Sequence, residues 1–468
     1  MPEAGSGGPG QPCLVLLAPL SRLSFPGGCR YAIFYGPADR AWGFGLFGPG
    51  ASAPGSRRQQ TKEVAVRQKV RCILVNYRSP WEMLQRCLDS LQPQTSEEAS
   101  TGPAVTLVDN ASGDGVLDEV RRHFPAVRIV ELEANMGFAA AVNLGLETAM
   151  EPFVLLLNTD AVLAPGALEL MTAALQSAPE DVAGIAPKML SSAHAGIIDA
   201  VGTVTPRNGA PFNRGIGQCD LGQYDSADEV AGVCFGAALL KRELFSPGKV
   251  GPLYEGYFLY FEDSDWCMRA MSMGYRFLTE PAAVVYHVHS GVTRLESLPF
   301  KYRLIELNTL KMVVRNFESP LRAAEIVASR CARLVARTLI RRRFIRANLS
   351  TLAAFSLALP RLLGERRRLK ARRTASDRAV FALAADEDAF FDTVGYLPHR
   401  QLESLAATYH RLLAQTGDPE HGKKLAALYR LQQQPPGTVP TRETERLFAG
   451  QPDCVRKLLA DCCRQAAD

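Results

Sequence analysis

Three acids, Glu262, Asp263 and Asp265, fall within four residues, directly after the aromatic run that begins at Tyr257. Acids crowded beside an apolar wall can hold one carboxylate with a raised pKa, which is what a general base near neutral pH requires. A helical pattern follows (Trp266, Met268, Met271), closed by Gly274, and then a short apolar strand, AAVVY, delivers His287 and His289. A histidine at a strand end is a candidate metal ligand, and His287 is the better placed of the two. The structural reading of the same residues is helix-end chemistry. Glu262 would cap the helix and favour its dipole, and Asp265 would pair with Arg269 one turn later.

These residues need a scaffold, and the chain from Val70 has the texture of one. VRCILVNY, AVTLVDN, VRIVEL and PFVLLLNTD read as apolar strands, alternating with the amphipathic helices WEMLQRCLDSLQ, GVLDEVRRHF, FAAAVNLGLETAM and GALELMTAALQSA. Repeated strand–helix units with continuously apolar strands predict a parallel sheet covered on both faces, with ligands at the carboxyl ends of the strands. The polar residues gather there: Asn76 and Tyr77, Asp109 and Asn110, and Asn158 to Asp160, with Asn135, Gly137 and Asn143 around the start of the third helix. One such cluster could be turn chemistry alone. Several on one edge predict a site. Cys234 and Gly236, in GVCFGAALL, fit a strand lining a pocket or plain core packing.

The ordered series VNYRSP, VDNASGDG, NMGFAAAVNLGL, LLLNTDAVL, GVCFGAALLKRELF, FLYFEDSDWCMRAMSMGY and VVYHVHSG resembles glycosyltransferase family 2, closest to its rhamnosyltransferase-like branch. The resemblance covers roughly residues 70–318. It implies an α/β protein: a GT-A (Rossmann-like nucleotide-diphospho-sugar transferase) domain at 69–320 with a C-terminal basic helical region. By the same resemblance Asp109 binds the nucleotide base, with Asn76 and Tyr77 in its pocket, and Asn135, Gly137 and Asn143 lie beside ribose and diphosphate. Asp160 matches the last acid of a metal-binding DxD motif and Asp263 the catalytic base, with Glu262 beside it. His287 matches the position that completes the metal site. Asn158 stands where the first acid of DxD would be, which removes one charge and leaves the choice between Mg and Mn open. The implied activity is inverting transfer of rhamnose or another deoxyhexose from a nucleotide-diphosphate donor to a glycan or lipid-linked acceptor, in cell-wall or polysaccharide biosynthesis. The physical roles agree: a hard divalent ion offsets the leaving diphosphate's charge, and a carboxylate activates a weakly nucleophilic hydroxyl. The alternative is a non-catalytic nucleotide-sugar-binding or scaffolding protein. A nucleotidyltransferase or oxidoreductase is disfavoured because no Gly-rich phosphate loop follows the first strand.

Composition narrows the class further. The chain has 468 residues, net charge +5, 47% apolar and 22% charged residues, a globular mixture long enough for two or three domains. Eleven cysteines contain no CxxC pair, which argues against a zinc ribbon or disulfide framework and for a reducing cytosol. No apolar run approaches the ~20 residues of a membrane span, and the stretch Cys13 to Leu20 is too short and too poorly flanked for a signal peptide. Residues 1–68 read as a Gly/Pro-rich extension. GFGLFG at Gly43 to Gly48 mimics a dinucleotide fingerprint, but Pro49, Gly50 and Pro54 forbid the helix it needs.

Between Arg322 and Arg373 there are fifteen Lys and Arg against two acids, Glu325 and Glu365, with apolar residues at helical spacing. That pattern, placed at 321–375, predicts a basic amphipathic segment on an anionic membrane surface. Nothing accompanies it that would read nucleic acid. The predicted location is cytoplasmic, peripheral on the cytoplasmic face of a membrane. Residues 376–468 read as a small helical appendage without a functional assignment.

Overall fold

The computed structural model describes residues 69–92, 102–193, 196–288, 297–340, 344–384, 399–432, 442–456 and 459. The sequence readings of residues 1–68 and of His289 lie outside them. All the described residues fall within one compact unit, residues 56–468.

The first half alternates as its apolar runs predict. In order come β1 (Val70–Asn76), α1 (Trp81–Leu91), β2 (Ala104–Asp109), α2 (Val116–His123), β3 (Arg128–Glu131), α3 (Phe138–Glu147), β4 (Phe153–Leu157), β5 (Ala161–Leu163) and α4 (Ala167–Ser177). Then follow β6 (Val182–Ser191), β7 (Ile198–Ala200), β8 (Thr203–Val204), β9 (Phe212–Asn213), β10 (Glu229–Val230), β11 (Ala237–Lys241), α5 (Glu262–Ser272) and β12 (Arg276–His287). The main sheet runs β10-β12-β6-β11-β4-β1-β2-β3, with β5 on β12 and β7 on β6.

The sheet is mixed, which corrects the expectation of a parallel one. β4, β1, β2 and β3 are mutually parallel, but β11 lies antiparallel between β4 and β6, and β5 pairs antiparallel with β12. The reason is that β11 is buried on both faces, so its sequence AALLK shows the continuous apolar run of a central strand in either direction. A second difference is length. AAVVY is the end of a twelve-residue strand that begins soon after Gly274 and spans Pro281, where its pairing with β6 shifts register.

Two apolar layers flank the sheet. Leu74, Leu88, Leu107, Leu155 and Met171 belong to one, and Ile73, Val142, Leu156, Phe245 and Trp266 to the other. Trp266 is fully buried, stacks on Phe245 at 4.7 Å and donates its indole N–H to the Gly251 carbonyl at 2.8 Å, which anchors α5 under the sheet.

Beyond the sheet, α6 (Leu298–Asn316), α7 (Pro320–Ile340) and α8 (Ile345–Lys370) share a core of Tyr302, Leu310, Leu334, Phe344 and Phe355. Part of the basic segment is therefore spent internally. Arg330 and Arg337 bond Glu306; Arg366 donates to the Val314 and Glu318 carbonyls; Arg373 holds the Asn316 carbonyl and Asp377. A short α9 (Asp377–Val380) follows, then α10 (His399–Thr416), α11 (Pro419–Gln432) and α12 (Arg442–Phe448). Those last helices pack on Ile197, Cys219 and Leu221 of the segment that carries β7.

The connection into α3 is a tight point near the predicted site. Gly137 has φ +84°, and a Cβ there would meet the Phe258 carbonyl oxygen at 2.3 Å. The next residue, Phe138, donates its N–H to that same oxygen at 2.8 Å. Gly137→Ala should therefore cost at least ~2 kcal/mol, from left-handed backbone strain plus overpacking. Urea unfolding should show a lower midpoint at an unchanged slope.

Candidate active site

The strand ends converge as local chemistry dictates. Asn76 and Asp109 end β1 and β2 in register, and the Asn76 amide donates to Asp109 Oδ1 at 2.7 Å and to Ser112 Oγ at 3.0 Å. Ser112 completes the knot, donating its hydroxyl to Oδ1 and its backbone N–H to Oδ2 of Asp109. Asp109 thus arrives pre-oriented, with its oxygens already accepting protein donors. Tyr77 lies half-buried beside it under the Arg78 guanidinium, 5.2 Å from the ring centre. Ser79 Oγ meets Thr159 Oγ1 at 2.7 Å, tying the exit of β1 to the residue between Asn158 and Asp160.

Asn135 and Asn143 act on neighbouring loops. Asn135 Oδ1 accepts from the Asn110 amide at 2.9 Å and the Gly137 N–H at 3.0 Å. Asn143 clamps Leu253 through both its backbone groups, at 2.9 and 3.0 Å, and donates to Glu255 Oε1 at 3.0 Å. Through Gly137 and Phe258 this region is stitched to the loop that leads into the acidic helix.

That loop is strained. Tyr260 and Phe261 both have left-handed backbones, φ 72° and 74°, which costs about 1–3 kcal/mol per residue. The fully buried Asn308 of α6 offsets part of this by donating to the Leu259 and Tyr260 carbonyls at 2.8 and 2.9 Å. The twist places Glu262 and Asp263 at the first two positions of α5. Phe261 is the N-cap residue and no side chain caps the helix, so the capping reading of Glu262 is not what the structure holds. Glu262 is buried and its Oε2 has no hydrogen-bond partner.

Electrostatics separates the three acids. Burial, then the neighbouring Asp263 and Asp265 charges, pushes Glu262 up to about 8. Burial also raises Asp263, although Ser264 and the Phe235 backbone N–H hold its charged form. Asp265 goes the other way: burial alone would raise it, but Arg315 and Arg269 outweigh that and keep it ionised. It bonds Arg269 Nε at 3.0 Å, Asn316 Nδ2 at 2.6 Å and Tyr257 Oη at 3.1 Å, as well as Arg315. Asp265 is therefore an anchor, and the raised pair is Glu262 with Asp263.

A second polar cluster lies nearby. The β5–β12 pairing sets His287 opposite Ala161, so its Nε2 lies 3.1 Å from Asp160 Oδ1 and 3.4 Å from Asn158 Nδ2. Its Nδ1 lies 2.7 Å from Asp199 Oδ2 on β7. Burial alone would lower the His287 pKa, but Asp160 and Asp199 carry it up to about 10. The segment 234–236 bridges the clusters. The Phe235 N–H faces Asp263, Cys234 feels the Asp263, Asp199 and Glu262 charges, and the Cβ direction of Gly236 points within 3.5 Å of Asn158 Nδ2. Cys234 is no nucleophile, because burial raises its thiol well above the ordinary range.

Asp199 escaped the sequence reading. It sits in IDAVG without a recognisable motif, and only folding brings it across 88 positions to His287. A carboxylate on one ring nitrogen, leaving the other aimed at an acid, is the arrangement that orients metal-binding histidines. Asp160 and His287 offer two donor groups for a divalent cation once His287 gives up the proton that Asp160 and Asp199 hold on it, with Asn158 adjacent. Among the described residues no three His, Cys, Asp or Glu side chains gather as a cage, so any cation here would be shared with a ligand.

Asp199→Asn should lower the His287 pKa and destabilise the protein by about 2 kcal/mol at neutral pH, the scale of a charged hydrogen bond. Because the folded pKa is raised, that contribution is complete below the ordinary histidine value and fades as pH rises through about 10. Denaturant midpoints for parent and variant should therefore converge at high pH.

Residues 72–246 match the model of a known family, Glycosyl transferase family 2. N-acetylglucosaminyl-diphospho-decaprenol L-rhamnosyltransferase from Mycobacterium tuberculosis is 29% identical over 240 residues, 46% of this chain and 74% of the relative. Among solved structures, GalNAc-T7 with UDP, GalNAc and Mn2+ is 16% identical with a TM-score of 0.39, covering 51% of this chain and 47% of its own. A mannosyltransferase from Pyrobaculum calidifontis with GDP-Man and Mn2+ is 17% identical with a TM-score of 0.38, covering 69% and 88%. The chain spans about half the length of the first of these structures. Residues 72–246 thus match glycosyl transferase family 2, and over 46% of its length the chain is similar to a rhamnosyltransferase.

Proposed function

We propose that the protein moves a sugar, rhamnose or another deoxyhexose, from a nucleotide-diphosphate donor to a glycan or lipid-linked acceptor, with inversion. The supporting observation is an acid pair, the buried Glu262 and the half-buried Asp263, beside the cluster of Asn158, Asp160 and His287. The name of the Mycobacterium relative, with its lipid-diphosphate acceptor, supports the same reading.

Asp109, Asn76 and Tyr77 form the floor for the nucleotide base. Asn135, Gly137 and Asn143 hold the loops that border ribose and diphosphate. Asp160 and His287 would hold a divalent cation, Mg or Mn, which when bound offsets the charge on the leaving diphosphate. Asp263 takes the proton of the acceptor hydroxyl, whose oxygen attacks the anomeric carbon opposite the leaving group. Glu262, neutral until about pH 8, leaves the negative charge of the pair on Asp263. The work would be done peripherally at the cytoplasmic face of a membrane. Among the described residues no helix is long and apolar enough to cross one.

Asp263→Asn keeps the shape and removes the proton acceptor. Sugar transfer should fall at least ~100-fold while donor binding persists. A variant that transfers at the parent rate would remove Asp263 from this role. Asp160→Ala should abolish divalent-ion-dependent donor binding and His287→Ala should weaken it, read as donor affinity titrated against Mg and Mn. Full activity in excess chelator would contradict the cation. Failure of the parent protein to transfer or hydrolyse any nucleotide sugar that it binds would favour the scaffolding alternative.

A further inference from the structure

α7 and α8 each leave an apolar stripe in water. On α7 the exposed positions Leu321, Ala324, Ala328, Ala332, Val335 and Leu339 follow one another at three- and four-residue steps, the spacing of a single helix face. Leu321 is 83% exposed, Leu339 81% and Ile340 78%. On α8 the exposed Leu349, Ala353, Leu357 and Pro360 repeat the same spacing, and Leu357 is 84% exposed. A helix on the outside of a bundle ordinarily turns its polar face to solvent. Here Arg330 and Arg337 of α7 turn inward to Glu306, while Arg322, Glu325 and Arg333 stay exposed beside the stripe.

The rim of these stripes is basic. Arg333, Arg346, Arg367 and Arg368 are exposed. In sequence, three further arginines occupy positions 341–343 between the helices. The two acids of the segment are taken: Glu325 pairs with Arg322, and Glu365 bonds Arg315 and Arg361.

We propose that the α7–α8 hairpin is a bilayer-inserting surface, with Leu339, Ile340 and Leu357 entering the interface of an anionic membrane and Arg333, Arg346, Arg367 and Arg368 meeting lipid phosphates. Charge complementarity selects this occupant. A second copy of the chain would bring one arginine rim against another, whereas anionic headgroups match it. Neither helix is apolar enough to span a bilayer, so the hairpin lies in the interface plane. The proposal deepens the membrane reading above. It rests on the sugar-transfer reading only for why such a surface is useful, namely to hold the site beside a lipid-linked acceptor.

The test is flotation of the full chain with vesicles of phosphatidylcholine alone or mixed with phosphatidylglycerol, at low and high salt. The parent should float with the mixed vesicles and much less with neutral ones. A triple variant, Leu339→Ser, Ile340→Ser and Leu357→Ser, should bind roughly 10-fold more weakly or worse at both salt levels. Arg333→Gln, Arg346→Gln, Arg367→Gln and Arg368→Gln together should remove the salt-sensitive part, which decays over a Debye length of about 10 Å at 0.1 M. All seven positions are exposed, so circular dichroism should be unchanged. No flotation of the parent, or flotation that the serine variant leaves intact, would overturn the proposal. So would a parent dimer in sedimentation that the serine variant disperses without any vesicle binding. Flotation needs no donor, so a protein that floats but never transfers sugar would sink the sugar-transfer reading and leave this one standing.

Discussion

One fully buried carboxylate, Asp265, sets the position of the candidate catalytic acids on α5. Desolvating it would be costly without compensation, and the compensation is specific: Arg269 from its own helix, Arg315 and Asn316 from α6, and Tyr257 from the preceding loop. Arg315 is itself secured, packing over the Tyr254 ring at 3.6 Å and bonding Glu365 of α8 at 3.0 Å. The C-terminal helices are in this way part of the site's foundation. Two and three residues earlier on the same helix, Asp263 and Glu262 have no such cations, and burial drives their pKa values upward instead. The same residue class takes opposite protonation behaviour within one turn because the environment differs.

Strain marks the same neighbourhood. Among the described residues the non-glycine positions with left-handed backbones are Arg78, Ala111, Tyr260 and Phe261. The first two follow β1 and β2 at their carboxyl ends, and the last two precede the acid pair. Such conformations persist where surrounding contacts over-determine them. Here those contacts are Ser112 for the first loop and Asn308 for the last. Pre-set loops spare a ligand the entropy of ordering them.

The sequence carried the alternation of the first four strands because their apolar runs and amphipathic helices are local patterns. The sequence singled out Asp263, Asp160 and His287 for a similar reason: each sits at an element end with a recognisable neighbour. Strand direction was not legible, since a buried strand such as Ala237–Lys241 looks the same either way round. Asp199 was not legible because its partner lies 88 positions away. The basic segment misled in one respect. Charge counting treated all fifteen cations alike, whereas folding turns Arg330, Arg337, Arg366 and Arg373 inward and leaves apolar residues at the surface.

The claim on which the rest hangs is that Glu262 and Asp263 titrate as a desolvated pair with the working charge on Asp263. The pH dependence of kcat/KM for sugar transfer tests it most directly, in the parent and in Glu262→Gln. Activity should rise with an apparent pKa above the ordinary carboxylate value of about 4. A second inflection near 8, from Glu262, should vanish in the variant. A single limb at the ordinary carboxylate value, unchanged by Glu262→Gln, would contradict the account.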